Sequence, residues 1–389
     1  MESVRNLIRI CQRHGYMQPT RCSVAGQVLT SSNYGPLGTL LRQNIISEWW
    51  RHLLRNEQQI FPVENSPWVP QRNTLSSNIG DKDETTVPDC HHRDSLTQGM
   101  LQHYLSTLKL VNHSIPFGIA QVGACQKEWD PLLNTDNTFQ WSNMVEELSL
   151  LHFVAPSAVS QWLDHWKRTR LHWWKKFAGS TPGFSITESE GENNNNSLKK
   201  LVIMYKFPWG EEEVETIENL GEAPLGEIQN QLGISCQGRF GRKLVMPHVI
   251  ECRAVLEKGM VAYLHNAFRP QDDARAVLKL HPRISPYMIA VCCTGKLAST
   301  TVRGVAEHVI RELQLVGISV LDLHTEGINV QKQFVEHDEM GVPYTLILND
   351  STLDNGIAYL RNRDTNVQEQ VSIAEVPKKM KIYLDAEQS

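Results

Sequence analysis

The densest chemistry in the sequence is a basic, tryptophan-rich stretch, Gln161-Trp162-Leu163-Asp164-His165-Trp166-Lys167-Arg168-Thr169-Arg170-Leu171-His172-Trp173-Trp174-Lys175-Lys176-Phe177. Trp162, Trp166 and Trp173 stand at i, i+4 and i+11, so a helix here gathers them on one aromatic face. Arg168, Arg170, Lys175 and Lys176, with Lys167, take much of the remaining circumference. Such cations can neutralise the phosphates of a nucleic acid or meet an acidic partner. The same pattern also describes a solvated face over an aromatic core. A second run, Gly238-Arg239-Phe240-Gly241-Arg242-Lys243, offers Arg239, Arg242 and Lys243 to the same chemistry. Neither run carries an Asn or Gln pattern that compels base-specific reading.

Metal and cofactor chemistry finds little support. The eight Cys form no CxxC pair, and Cys90-His91-His92 lacks a spaced second pair of ligands, so no metal site and no cofactor are expected. Cys292 and Cys293 lie in the apolar run Tyr287 to Cys293, which reads as buried free thiols in a reducing compartment.

The elements that position these residues follow from periodicity. Residues 1–63 read as helix, loop, helix, with Leu37, Leu40, Leu41, Ile45, Trp49 and Leu53 at helical spacing after the turn Tyr34-Gly35-Pro36-Leu37-Gly38. Trp49 and Trp50 read as core. Residues 64–95 lose hydrophobic periodicity and suit a long loop or reduced insert, and 180–200 suit a polar surface loop. A helix is expected over 94–111 and a strand over 116–123. A further strand is expected over 201–207, a helix beginning within 211–220, a strand over 243–252 and a helix over 254–268. From Leu278 a second unit alternates strands (287–293, 318–321, 344–348, 357–360) with helices (300–315, 328–337), which argues an α/β fold with a partly parallel sheet. The expected division is 1–277 and 278–389.

Composition sets outer bounds. The chain has 389 residues, 41% hydrophobic and 21% charged, enough for more than one core and ordinary for a globular protein. No run approaches 18 continuous apolar residues, so a membrane span is not expected. The net charge of -5 excludes a globally basic coat but not a local basic surface. Ten basic against fourteen acidic side chains after residue 280 make the second unit a poor general nucleic-acid domain. Residues 1–20 show no secretory core and no evident mitochondrial presequence, which is expected to have been removed or never included.

Several motifs in order carry a family resemblance. Gly35-Pro36-Leu37-Gly38, the Trp49-Trp50 helix, Pro116-Phe117-Gly118-Ile119-Ala120-Gln121-Val122-Gly123 and Leu280-His281-Pro282-Arg283-Ile284-Ser285-Pro286 resemble glycyl-type class II aminoacyl-tRNA synthetases. Tyr344, Leu353-Asp354-Asn355-Gly356 and Leu360-Arg361-Asn362-Arg363-Asp364-Thr365 are similar to that family's anticodon-binding domain. More narrowly, the Trp-rich basic helix, Phe207-Pro208-Trp209-Gly210 and Lys258-Gly259-Met260-Val261-Ala262-Tyr263-Leu264 resemble the accessory subunits of mitochondrial DNA polymerase. The resemblance covers nearly all of the chain outside 64–95 and 180–200. It implies an α/β (α+β) architecture, an antiparallel class II synthetase-like sheet domain followed by an anticodon-binding-like α/β domain.

The resemblance also implies what the chain does. It points to a non-catalytic processivity subunit in the mitochondrial matrix and nucleoid, binding the catalytic polymerase subunit and double-stranded and primer-template DNA without sequence preference. The polymerase contact carries over to Leu353, Asn355, Gly356, Arg361 and Arg363. Residue by residue these have plainer readings: Asn355-Gly356 as a hairpin turn, and Arg361 pairing within its domain. A homodimer is implied, although the vertebrate-type dimerising insert falls in the interval that is short here. The synthetase chemistry is degenerate. Adenylation needs an Arg fork placed on phosphate and carboxylate, yet Gly123-Ala124-Cys125-Gln126-Lys127-Glu128 has none, and Lys127 supplies only a point charge. Glu257 and its apolar neighbours fill space a nucleotide would want. No catalytic residue is therefore expected. A glycine-tRNA ligase-like enzyme and a tRNA-binding regulatory protein are the rival readings.

Overall fold

The computed structural model describes residues 2–24, 27–55, 59–70, 90–127, 141–179, 183–190, 199–271, 276–294, 300–323 and 329–386. The chain opens with α1 (Glu2–Arg13), a hairpin of β1 (Gln18–Val24) and β2 (Gln27–Asn33), and α2 (Pro36–Arg55). The hairpin stands where the sequence reads as a loop. Helix α2 buries Leu37, Leu41, Ile45, Trp49 and Leu53 of the helically spaced set in the sequence, with Leu40 half-buried.

The body is built on a seven-stranded sheet. Strand β3 (Ile60–Pro62) is followed by the short pair β4 (Trp68–Pro70) and β5 (Cys90–His92), then α3 (Thr97–Gln102) and α4 (Tyr104–Leu110). The 64–95 loop thus contains a two-stranded pair at its ends, and 71–89 lie outside the described residues. Next come β6 (Phe117–Gln126), β7 (Met144–Val154), α5 (Val159–Lys176), β8 (Phe184–Glu190), β9 (Lys199–Phe207) and β10 (Gly210–Gly221). Then α6 (Ala223–Leu232), the hairpin β11 (Gly238–Phe240) and β12 (Lys243–Val245), β13 (His248–Val255), α7 (Leu256–Ala267), and the pair β14 (Phe268–Pro270) and β15 (Ala276–Leu278) complete it. The sheet order is β3-β6-β7-β13-β10-β9-β8. Strand β3 runs parallel to β6 and the other neighbours are antiparallel.

Two further sequence expectations fail here. Residues 184–190 form β8 rather than loop, while 191–198 lie outside the described residues. Residues 211–220 are strand rather than helix start. Glu215, Thr216 and Ile217, all buried, are paired on both sides by β9 and β13, and that pairing overrides the helical propensity of five Glu.

Helices α2, α5 and α7 cover one face of the sheet, with Leu148, Leu150, Ile203, Ile217, Ile250 and Cys252 pointing at them. Helices α3, α4 and α6 cover the other, where Phe117, Ile119, Leu151, Phe153 and Val249 point. The strand period of two therefore splits one apolar sheet between two cores.

The second unit carries β16 (Ile289–Cys293), α8 (Thr300–Leu315), β17 (Val320–Asp322), α9 (Val330–Glu339), β18 (Tyr344–Leu348), α10 (Asp350–Asn355), β19 (Ile357–Asn362), β20 (Gln368–Ser372) and α11 (Val376–Ala386). Its sheet order is β17-β16-β18-β19-β20, the first three parallel and the last two antiparallel, as the alternation predicts. The body's core continues through Leu278, Leu280 and Ile284, and the second core begins at Met288.

Candidate nucleic-acid and partner surfaces

Helix α5 sorts its residues sharply. Leu163, Trp166, Arg170, Trp173 and Trp174 face the sheet and are buried. Trp166 Nε1 donates to His152 Nδ1 at 3.2 Å, and burial pushes that imidazole down to about 3, which keeps it a neutral acceptor. Arg168 and Lys175 are exposed and Lys176 is half-buried. Arg168 has only a loose ion pair with Asp164, at 3.9 Å, while Lys167 Nζ donates to Glu188 at 2.6 Å.

Arg170 is the correction. It is 1% exposed, its Nε donates to Glu215 Oε1 at 2.7 Å, and its guanidinium lies 4.6 Å from the Trp173 ring centroid. Glu215 is itself 1% exposed and also accepts from Trp174 Nε1. A phosphate cannot reach this side chain, so Arg170 leaves the set of DNA-binding candidates and joins the core. Sequence reasoning missed Glu215 because it fell in the segment read as helix. Strand alternation there would have pointed it inward at the basic helix.

The second basic run forms the β11–β12 hairpin, with Arg239, Arg242 and Lys243 exposed. Arg239 is anchored, its Nη2 donating to Asn112 O at 3.3 Å.

In the second unit, the residues carried over by resemblance separate into surface and scaffold. Asn349 caps α10 by accepting from Thr352 N at 3.1 Å, and Thr352 Oγ1 returns the cap by accepting from Asn349 N. Leu353 is half-buried against the core. Asn355 is exposed, and its Oδ1 accepts from Ile357 N at 2.8 Å. Gly356, with φ at +68°, ends the helix in the left-handed region, so Asn355-Gly356 is a helix stop rather than a hairpin turn.

Arg361 and Arg363 are scaffold. Arg361 grips Asp338 with two bonds of 2.8 Å and lies over the Phe334 ring. Arg363 is 4% exposed and donates to the carbonyls of Leu278, Gly341 and Leu280 at 2.9, 2.9 and 3.0 Å. It ties the second unit to the last strand of the body. The reading of these two arginines as direct polymerase contacts is corrected accordingly, since their donors are spent internally. Tyr16 Oη donating to Met340 O at 2.8 Å and Arg283 donating to Glu48 at 3.0 Å hold the same junction.

The sheet face around Gly123 is filled by the chain itself. A Cβ on Gly123 would fall 2.2 Å from Arg93 Nη2, so glycine is what allows that guanidinium to cross the strand. Arg93 donates to the carbonyls of Ala124, Asn65 and Ser66 at 2.9, 3.0 and 3.2 Å. Glu147, fully buried, accepts from Leu96 N at 3.1 Å and Lys127 Nζ at 2.7 Å. Thr97 Oγ1 donates to Glu251, whose carboxyl burial pushes up. Lys127 is thus committed to Glu147 and to Asp94 O, at 2.6 Å, rather than poised for an anion. On the opposite side, Glu257 is buried where the sequence placed it, accepting from Glu146 N at 3.0 Å and Arg42 at 3.2 Å. Arg93 was missed in the sequence; its signal was the glycine it crosses.

Comparison with known proteins agrees with this geometry. Residues 288–382 match the family model for an anticodon binding domain. The chain is 33% identical to DNA polymerase subunit gamma-2 of Bos taurus, over 99% of this chain and 86% of that protein. It is 29% identical to the mitochondrial DNA polymerase subunit gamma-2 of Xenopus laevis, over 98% of this chain and 87% of that protein. A glycine–tRNA ligase of Borrelia hermsii is 23% identical, over 96% of both chains. The anticodon-binding-like unit and the mixed α/β body are those expected of a class II synthetase-like architecture.

Proposed function

The chain belongs to the DNA polymerase subunit gamma-2 family, and from that membership we propose how it acts as the non-catalytic accessory subunit of mitochondrial DNA polymerase. It works in the mitochondrial matrix and nucleoid, binding the catalytic subunit and DNA to strengthen the hold on primer-template. The observation that carries this is a match to subunit gamma-2 that runs through both units of the chain. Among the described residues no cluster of His, Cys, Asp or Glu is arranged to hold a metal ion.

Arg168, Lys175 and Lys176 of α5 are the residues we assign to the DNA backbone. Arg168 and Lys175 are exposed and Lys176 is half-buried on a helix whose opposite side is locked by the aromatic core, so they present charge without reading bases. Leu353, Asn355 and Gly356 at the α10–β19 corner are assigned to the catalytic subunit. Arg361 and Arg363 act there as positioning residues, fixing the corner to α9 and to the body. The protein is proposed to be a homodimer, which sedimentation decides directly. The arrangement is tested by measuring the affinity of the catalytic subunit for a primer-template with and without this protein. Tighter binding in its presence supports the reading, and unchanged affinity refutes it.

A further inference from the structure

The β11–β12 hairpin is a ribbon with a cation on each face and one at its tip. Its register pairs Arg239 with Leu244 and Phe240 with Lys243, which leaves Gly241-Arg242 as a two-residue turn. Directly opposed side chains share a face and successive ones alternate. Arg239 and Leu244 therefore stand on one face, Phe240 and Lys243 on the other, and Arg242 at the tip. All five are exposed, and no acidic residue occurs from Gly233 to Ile250. The ribbon is held at its base, where Ile115 N donates to Arg239 O at 3.1 Å and Arg239 N donates to His113 O. Its tip stands clear: a Cβ on Gly241 would meet nothing within 4 Å.

This disposition selects the occupant. A protein partner covering one face needs an apolar centre there, yet the two large apolar side chains are divided between the faces. A single row of phosphates would use the cation of one face and leave the other in solvent. Cations on both faces and at the turn match a cleft with phosphates along both walls, which is what a groove of duplex DNA offers. Thickness chooses the groove. A ribbon with side chains on both faces is roughly 10 Å thick, which fits the major groove at about 12 Å and not the minor groove at about 6 Å.

We propose that the β11–β12 ribbon enters the major groove of duplex DNA tip-first, with Arg239 and Lys243 toward opposite phosphate walls. Arg242 leads at the turn, and Phe240 beside it supplies apolar contact to base edges, where thymine methyls line the groove. The inference rests on the DNA-binding reading above and deepens it. It adds a second surface to α5, which packs on the Leu148 face of the seven-stranded sheet, whereas Cys236 and Val245 on either side of the ribbon pack into the core on the other face.

The test is fluorescence anisotropy of the full-length protein across a salt series, with two labelled duplexes of one sequence. One is plain, and the other carries glucosylated 5-hydroxymethylcytosine, whose sugars fill the major groove. The wild-type protein should bind the glucosylated duplex roughly tenfold more weakly. Arg242→Glu/Lys243→Glu should lower the salt slope by about 2, weaken plain-duplex binding roughly tenfold and erase the difference between the duplexes. Phe240→Ala should weaken plain-duplex binding roughly threefold with the slope unchanged. All substituted sites are exposed, so both variants should keep the wild-type melting temperature and the wild-type affinity for the catalytic subunit without DNA. Equal wild-type affinity for the two duplexes, or a wild-type slope in the charge variant, overturns the proposal. Lost affinity for the catalytic subunit in either variant overturns it in favour of a protein contact. A wild-type protein that binds neither duplex overturns the DNA-binding reading itself, whereas variants that bind as tightly as the wild type overturn only the part given to the ribbon.

Discussion

Replacing Arg170 by Met separates a core role from a DNA role. Arg170 and Glu215 are each 1% exposed and joined at 2.7 Å, and Trp174 Nε1 donates to the same carboxylate. Removing the guanidinium leaves a buried carboxylate with a single neutral donor. Breaking a buried pair in this way costs about 3–5 kcal/mol. At roughly 2 °C per kcal/mol for a unit of this size, the melting temperature of the body should fall by about 6–10 °C. Methionine retains most of the volume against Trp173, so the loss reports the charge rather than a cavity. The double variant Arg170→Met/Glu215→Met should recover part of that loss, because replacing both partners by apolar groups is near neutral, while the Trp174 Nε1 donor left without its acceptor keeps about 1–3 kcal/mol of the penalty. Differential scanning fluorimetry reads the stability, and anisotropy with a labelled duplex at 25 °C reads DNA binding. An Arg170→Met protein with wild-type melting and weakened DNA affinity would refute the core assignment.

Further expectations follow from the same geometry. Charge reversal at Arg168 and Lys175 should lower the salt slope of duplex binding by about 2 while leaving the melting temperature unchanged; an unaltered slope returns both to the solvated face. Burial raises Glu257 from 4.5 to about 7, so the folded state holds this proton more tightly than the unfolded chain. The stability from that proton is complete below pH 4.5 and is lost as pH rises to about 7, a change of about 3 kcal/mol. Glu257→Gln should therefore flatten the stability profile across that window, and an equally steep profile in the variant would assign the slope elsewhere. Gly259→Ala would place a Cβ 2.4 Å from Trp174 Cη2, and overpacking of about 1–3 kcal/mol should appear in tryptophan-monitored unfolding. Arg363→Ala removes donors from three carbonyls and should expose the junction near residues 278–288 to limited proteolysis, where the wild type resists.

What was readable in the sequence was what local patterns specify. The α2 stripe, the β16–α8–β17–α9–β18 alternation and the aromatic face of α5 all follow from periods of 3.6 and 2, and each is found. The misread parts are those that long-range pairing decides. Strand β10 carries Glu211, Glu212, Glu213, Glu215 and Glu218, which look helical until β9 and β13 flank the strand. Strand β8 looks like polar loop because it is an edge strand that, among the described residues, pairs only with β9. Among site residues, charge alone could not tell Arg168 from Arg170, two positions apart. Helical geometry turns them about 200° from each other, and only the presence of Glu215 in the opposing strand makes burial of one affordable. Arg361 and Arg363 were singled out by family motif, and the structure shows that a motif can mark a scaffold under a surface as readily as the surface itself.

The most direct test of the accessory role is processive primer extension by the catalytic subunit at rising salt, with and without this protein. Longer products per binding event, persisting at salt where the catalytic subunit alone falls off, are the predicted result. Product lengths that do not change at any salt would contradict it.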